Sequence, residues 1–100
     1  MAEPPDRIEV VRTGGFAGIA RRGSVDLADA PPDARAEAGQ ALDEIRQAAA
    51  RPAGVPQPDA FTYSVAASRA GRREELTLHE SAVPESVRPF LDRLLGAGPG

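Results

Sequence analysis

A glycine-rich segment, Gly14 to Gly18, is the part of the chain that looks most like a ligand-binding loop. A Walker-type phosphate loop would need a lysine followed by serine or threonine, and a dinucleotide fingerprint would need the spacing Gly-x-Gly-x-x-Gly. The segment Gly-Gly-Phe-Ala-Gly meets neither requirement, and no helix-prone stretch follows it directly to bind a phosphate at its N-terminus. Two consecutive glycines between β-prone runs are instead typical of a tight hairpin turn, because glycine reaches positive φ without steric cost.

The only histidine, His79, precedes Glu80 and therefore invites comparison with a zinc-protease motif. That motif, His-Glu-x-x-His, needs a second histidine at position 83, where this chain has Val83. We therefore expect His79 to lie on the solvent face of a strand. Cysteine is absent, which excludes disulfides and thiolate metal ligands.

Nucleophilic and acid–base catalysis also lack a suitable arrangement of residues. The serines have a single histidine to share, and none stands in a nucleophile-elbow context. Carboxylates occur as sequence neighbours, Asp43 with Glu44 and Glu74 with Glu75, and adjacent side chains diverge in a helix or a strand. We expect no enzymatic activity, no catalytic or metal-binding residue, and no cofactor.

The composition narrows the possible partners. The formal net charge is -3, so non-specific binding to nucleic acid has no electrostatic basis. No apolar run approaches the roughly 20 residues of a membrane span, and the N-terminus lacks the basic and apolar regions of a secretory signal. The absence of lysine and asparagine beside abundant alanine indicates a GC-rich genome. We expect a soluble, cytoplasmic, bacterial protein that is a monomer.

Hydrophobic periodicity predicts two β-hairpins, each followed by a helix. Gly18 and Gly23 predict a bulge or a twist in the second strand. The order ββαββα favours an α+β fold, a four-stranded antiparallel sheet with one main helix packed on one face and a short C-terminal helix. The predicted elements are strands over 7–13, 16–27, 61–65 and 73–80, a main helix over 33–50 and a short helix over 84–95.

The same sequence pattern predicts where the domain begins and ends and which side chains form its core. We expect a disordered lead-in over 1–6, one domain over 7–95 and a flexible tail over 96–100. Leu42 and Ile45 should anchor the main helix, and Phe61, Tyr63 and Val65 share one strand face, with Tyr63 in the core. If the main helix spans the sheet, the Gly14–Gly15 turn and the 51–60 loop share one end of the domain.

These residues alone indicate a small α+β binding or interaction module. Three segments carry a more specific likeness: Arg-Ile-Glu-Val-Val-Arg-Thr-Gly-Gly-Phe-Ala-Gly-Ile from residue 7, Asp-Ala-Phe-Thr-Tyr from residue 59, and Val-Arg-Pro-Phe-Leu from residue 87. Over residues 7–95 the chain resembles the emfourin family of small protein inhibitors of protealysin-type, thermolysin-like zinc metalloproteases. The resemblance implies a sheet packed by a helix, a cytoplasmic location and a protease as the partner.

The resemblance implies a partner enzyme that prefers bulky apolar side chains in its principal pocket. A glycine hairpin with one aromatic residue suits such a cleft, so we expect Gly14, Gly15 and Phe16 to enter or cap it, aided by the N-terminal lead-in or the 51–60 loop. In the other interpretation Phe16 packs in the core and the glycines only turn the chain. The alternative function is a non-catalytic interaction or regulatory module with another partner. The expected protease-binding residues are Gly14, Gly15, Phe16, Ala17 and Gly18.

Overall fold

The computed structural model describes residues 5–14, 20–51 and 61–97. Its element order is ββαββα, which confirms the predicted α+β class. A short 3-10 helix, Glu80–Ala82, follows the fourth strand and has no counterpart in the predicted pattern. The elements are β1 (Arg7–Gly14), β2 (Arg21–Asp26), α1 (Pro32–Ala49), β3 (Phe61–Arg69), β4 (Arg72–His79) and α2 (Arg88–Ala97).

The four strands form one antiparallel sheet in the order β2-β1-β3-β4. Val10 lies between Gly23 of β2 and Val65 of β3, and Tyr63 lies opposite Leu78 of β4. Side chains alternate between the two faces of a strand, so these residues belong to one face. Tyr63 is only 3% exposed, which confirms its predicted place in the core.

The helix α1 begins at the predicted signal. Pro32 is its first residue, Pro31 before it is extended, and Asp33 lies in the first turn near the positive end of the helix dipole. Leu42 and Ile45 are buried as predicted. Near its other end, Arg46 contacts Glu74 of β4, so α1 packs along this edge strand.

The helix α2 packs on β2 and β1, and this packing corrects the prediction of a bulge at Gly23. The β1–β2 register runs through Gly23 without interruption, since Glu9 pairs with Ser24 and Val10 with Gly23. A Cβ at position 23 would overlap the main-chain carbonyl of Leu94 in α2. The glycine therefore permits close approach of the helix backbone and does not mark a bulge.

The fold extends slightly beyond the predicted domain limits of 7 and 95. Pro5 is fully buried, and Asp6 joins neighbouring elements because its amide donates to the Ser68 carbonyl at 2.7 Å and its carbonyl accepts from Leu27 at 2.7 Å. At the other end α2 continues through Ala97. The lead-in predicted over 1–6 and the tail predicted over 96–100 thus each contribute two residues to the described fold, while 1–4 and 98–100 lie outside it.

The face opposite the helices carries a chain of ion pairs across the sheet. Arg7 contacts Glu9 at 2.9 Å and Asp26 at 3.4 Å, and Arg73 contacts Glu75 at 3.3 Å and Glu9 at 3.9 Å. Glu9 of β1 and Glu75 of β4 both stand opposite the small residue Ala66 of β3. The charged side chains therefore reach across β3, and Ala66 is only 9% exposed although it lies on the solvent face.

Candidate functional site

The first residue of the expected protease-binding segment, Gly14, ends the strand β1. Its φ is 98°, in the left-handed region that glycine adopts without strain. The predicted tight turn at Gly14–Gly15 is wrong, because Gly14 still pairs with Phe61 of β3, and β2 begins only at Arg21, which stands opposite Arg12. The other expected contact residues, Gly15, Phe16, Ala17 and Gly18, lie outside the described residues. Whether Phe16 is a contact or a core residue therefore stays a prediction.

Gly14 leaves a strand that is paired on both sides. β1 lies between β2 and β3 in the sheet, and Gly14 itself stands opposite Phe61, the first residue of β3. This register by itself places the start of β3 at the Gly14 end of the sheet. Residues 52–60 of the predicted neighbouring loop lie outside the described residues.

Phe61 and Arg12 form a contact beside Gly14 that the sequence pattern did not reveal. The Arg12 guanidinium lies 4.6 Å from the centroid of the Phe61 ring, a cation–π distance. Both side chains are partly buried, and Phe61 packs against the edge of the core cluster. In the sequence, the contact was indicated only by position: Arg12 stands two residues before Gly14, and Phe61 is the first residue of the next β-rich run.

A second arginine, Arg21, completes this end of the sheet. Arg21 begins β2 and stands directly opposite Arg12, and its side chain is exposed. Alternation along β1 places Arg12 on the same face as Val10. The described residues next to Gly14 on this face thus include an aromatic ring, a guanidinium over that ring and an exposed guanidinium.

His79 lies where the sequence predicted, on the face that points away from the helices. It is the last residue of β4 and stands opposite Thr62. Within residues 5–14, 20–51 and 61–97, no group of three or more His, Asp or Glu side chains is placed to hold a metal ion.

Among the described carboxylates, Glu74 has a shifted pKa, and the cause is its pairing with Arg46. Arg46 Nε donates to both Glu74 carboxylate oxygens, at 2.8 and 3.0 Å, and its Nη2 lies 2.7 Å from Oε1. These hydrogen bonds lower the pKa of Glu74, against a smaller opposing effect of desolvation. The same hydrogen bonds raise the pKa of Arg46. The pair fastens α1 to β4 and offers no free acid or base.

Comparison with family models matches residues 10–95 of the chain to one family, described as Emfourin. The matched range contains all of Gly14–Gly18 as well as Arg12, Arg21 and Phe61. No curated protein and no solved structure gives a significant match. Among the helices of the described chain, none has the length and apolar character needed to cross a bilayer. The resemblance drawn from the sequence is confirmed at the level of the family.

Proposed function

The chain belongs to the emfourin family, a family of inhibitors, and from this membership we propose that it inhibits a protealysin-type, thermolysin-like zinc metalloprotease. The family match across residues 10–95 is the observation that carries the proposal. The inhibitor acts by occupying or capping the active-site cleft with Gly14–Gly18. It works as a monomer in the bacterial cytoplasm and supplies no catalytic group of its own.

The setting of Gly14 supports this mode of action. A protein inhibitor gains affinity when its contact segment is held in place before binding, because less conformational entropy is then lost. Gly14 leaves β1, which is hydrogen-bonded to β2 on one side and β3 on the other, so the segment starts from a fixed point. Glycines also allow the inhibitor backbone to approach the walls of a cleft closely.

In this mechanism Phe16 provides the main side-chain contact. A buried aromatic anchor commonly dominates the energy of a protein–protein interface. We place the Phe16 ring in the apolar specificity pocket of the protease, with Gly15 and Ala17 letting the flanking backbone follow the cleft.

Inhibition constants and melting temperatures of Phe16→Ala and Gly15→Ala test the proposal. Phe16→Ala should raise the inhibition constant against a protealysin-type enzyme by about tenfold or more, as truncation of an interface anchor does, with little change in melting temperature. Arg72→Ala is the matched control, because Arg72 is exposed at the Gly71 turn, at the opposite end of the same sheet. A lower melting temperature with unchanged inhibition would instead place Phe16 in the core.

A pull-down separates the proposal from the alternative of an interaction module with another partner. The immobilised chain should retain a purified protealysin-type protease and inhibit it in stoichiometric amounts. Capture of a different partner from the native lysate, with no metalloprotease bound and no inhibition, would support the alternative.

A further inference from the structure

Two arginines stand directly opposite each other at the Gly14 end of the sheet. Arg12 of β1 and Arg21 of β2 are a cross-strand pair on the same face. Like charges in such a pair repel and destabilise the sheet by a few tenths of a kcal/mol or more.

The two arginines also lack a carboxylate partner within the described part of the chain. The ion pairs between described residues use other arginines, namely Arg7, Arg46, Arg73 and Arg93. On the opposite face of the sheet, by contrast, Arg7 has Glu9 and Asp26 within 3.4 Å. Among the residues that the structure describes, positive charge is thus compensated on that face and left uncompensated beside Gly14.

The Phe61 ring holds one of these charges in position. Its centroid lies 4.6 Å from the Arg12 guanidinium carbon, and stacking on a ring leaves the N–H edge of a guanidinium free to donate. A carboxylate placed between Arg12 and Arg21 would relieve their repulsion and accept charge-assisted hydrogen bonds from both.

We propose that Arg12 and Arg21 form a docking point for a carboxylate on the surface of the target protease, next to its active-site cleft. This inference rests on the proposed function, because contact through Gly14–Gly18 brings the neighbouring arginine pair to the same partner. Since the chain as a whole carries a net charge of -3, the attraction comes from this local pair and not from overall charge. The partner surface that fits is acidic.

The test compares inhibition and association rates of Arg21→Glu and Arg12→Gln with those of the unmodified chain, using a protealysin-type enzyme. At about 0.1 M salt each variant should inhibit about tenfold more weakly, and Arg21→Glu should also associate more slowly. The difference should narrow at about 1 M salt, where the Debye length falls from about 10 Å to about 3 Å. Arg21→Glu should melt at the same or a higher temperature, because it removes the like-charge pair.

Arg72→Glu is the matched control, since it makes the same change in charge at an exposed arginine of the opposite hairpin. It should inhibit like the unmodified chain. Equal losses in Arg72→Glu and Arg21→Glu, no loss in Arg21→Glu, or a loss that salt does not reduce would each overturn the docking point while leaving the inhibitor function in place. If the unmodified chain itself does not inhibit the enzyme, the proposed function fails, and this inference fails with it.

Discussion

Gly23 shows how a missing side chain decides where a helix packs. The residue stands in the middle of β2, opposite Val10, and the backbone of α2 passes directly over it at Leu94. A glycine inside a strand normally weakens the strand, because it loses more backbone entropy on folding than other residues and has no side chain to pack. Here that loss is offset by the contact of α2 with the sheet, which buries Leu91, Leu94 and Leu95.

Gly23→Ala should therefore destabilise the protein by about 3 kcal/mol, at the upper end of overpacking effects, because backbone atoms must move to admit the methyl group. For a chain of this size, each kcal/mol lowers the melting temperature by about 4–8 °C. Thermal unfolding followed by circular dichroism measures the change.

Gly96→Ala is the matched control for that substitution. Gly96 lies in the last turn of α2, with no atom within 4 Å of the position of an added Cβ. Alanine is also the better helix former. This variant should melt at the same temperature or slightly higher, and a Gly23→Ala protein that melts like it would contradict the close packing of α2 on β2.

The contact of α1 with the sheet depends partly on one ion pair. Arg46, in the last turn of α1, and Glu74 of β4 make a bidentate contact, but each side chain is still 38% exposed. Solvent screening keeps the contribution of such a pair small, about 0.5 kcal/mol. Its value as a probe lies in the lowered pKa of Glu74, which makes the α1–β4 contact sensitive to pH.

The stabilisation by Glu74 should disappear in acid. Because its pKa is lower in the folded than in the unfolded chain, Glu74 stabilises the fold above its unfolded pKa, about 4.3, and this contribution is lost as the pH falls through the folded pKa. Glu74→Gln should therefore melt below the unmodified protein at pH 7, and the gap should close towards pH 3. Glu75→Gln, which affects a pair with a 72% exposed carboxylate, is the control and should have a smaller effect at pH 7. A gap that stays constant with pH would contradict the assignment.

The elements with a regular hydrophobic period were the ones that sequence could predict. The spacing of Leu42 and Ile45 identified α1, and the alternation through Tyr63 identified the buried face of β3. Positions whose role depends on a distant segment were missed or misread. Gly23 suggested a bulge because no residue near it in sequence indicates that α2 packs against it. The Arg12–Phe61 contact forms only because β1 pairs with β3 in this register. Hydrophobic periodicity in a local segment predicts a helix or a strand, whereas contacts between distant segments can be predicted only when the pairing of the strands is known.

The sheet and both helices share one core. The cluster of buried side chains includes Ile8 and Val10 of β1, Ile45 of α1, Val65 of β3 and Leu91 of α2. In sequence, α2 is the last element, yet it packs on the first two strands, β1 and β2. The β1–β2 hairpin, which carries the proposed inhibitory segment, is therefore held in the sheet by the opposite end of the chain.

Leu91→Ala tests whether this core unfolds as one unit. Leu91 is 1% exposed, and truncation of a buried leucine costs about 2–5 kcal/mol, a large share of the roughly 5–15 kcal/mol that stabilises a typical domain. Because the core is continuous, hydrogen-exchange protection should fall by a similar factor in β1, which α2 contacts, and in the more distant α1 and β4. Loss of protection confined to α2 and the β1–β2 hairpin would instead show two separately stable halves. In that case the inhibitory hairpin could open while α1, β3 and β4 stay folded, and inhibition by Leu91→Ala would weaken well below its melting temperature.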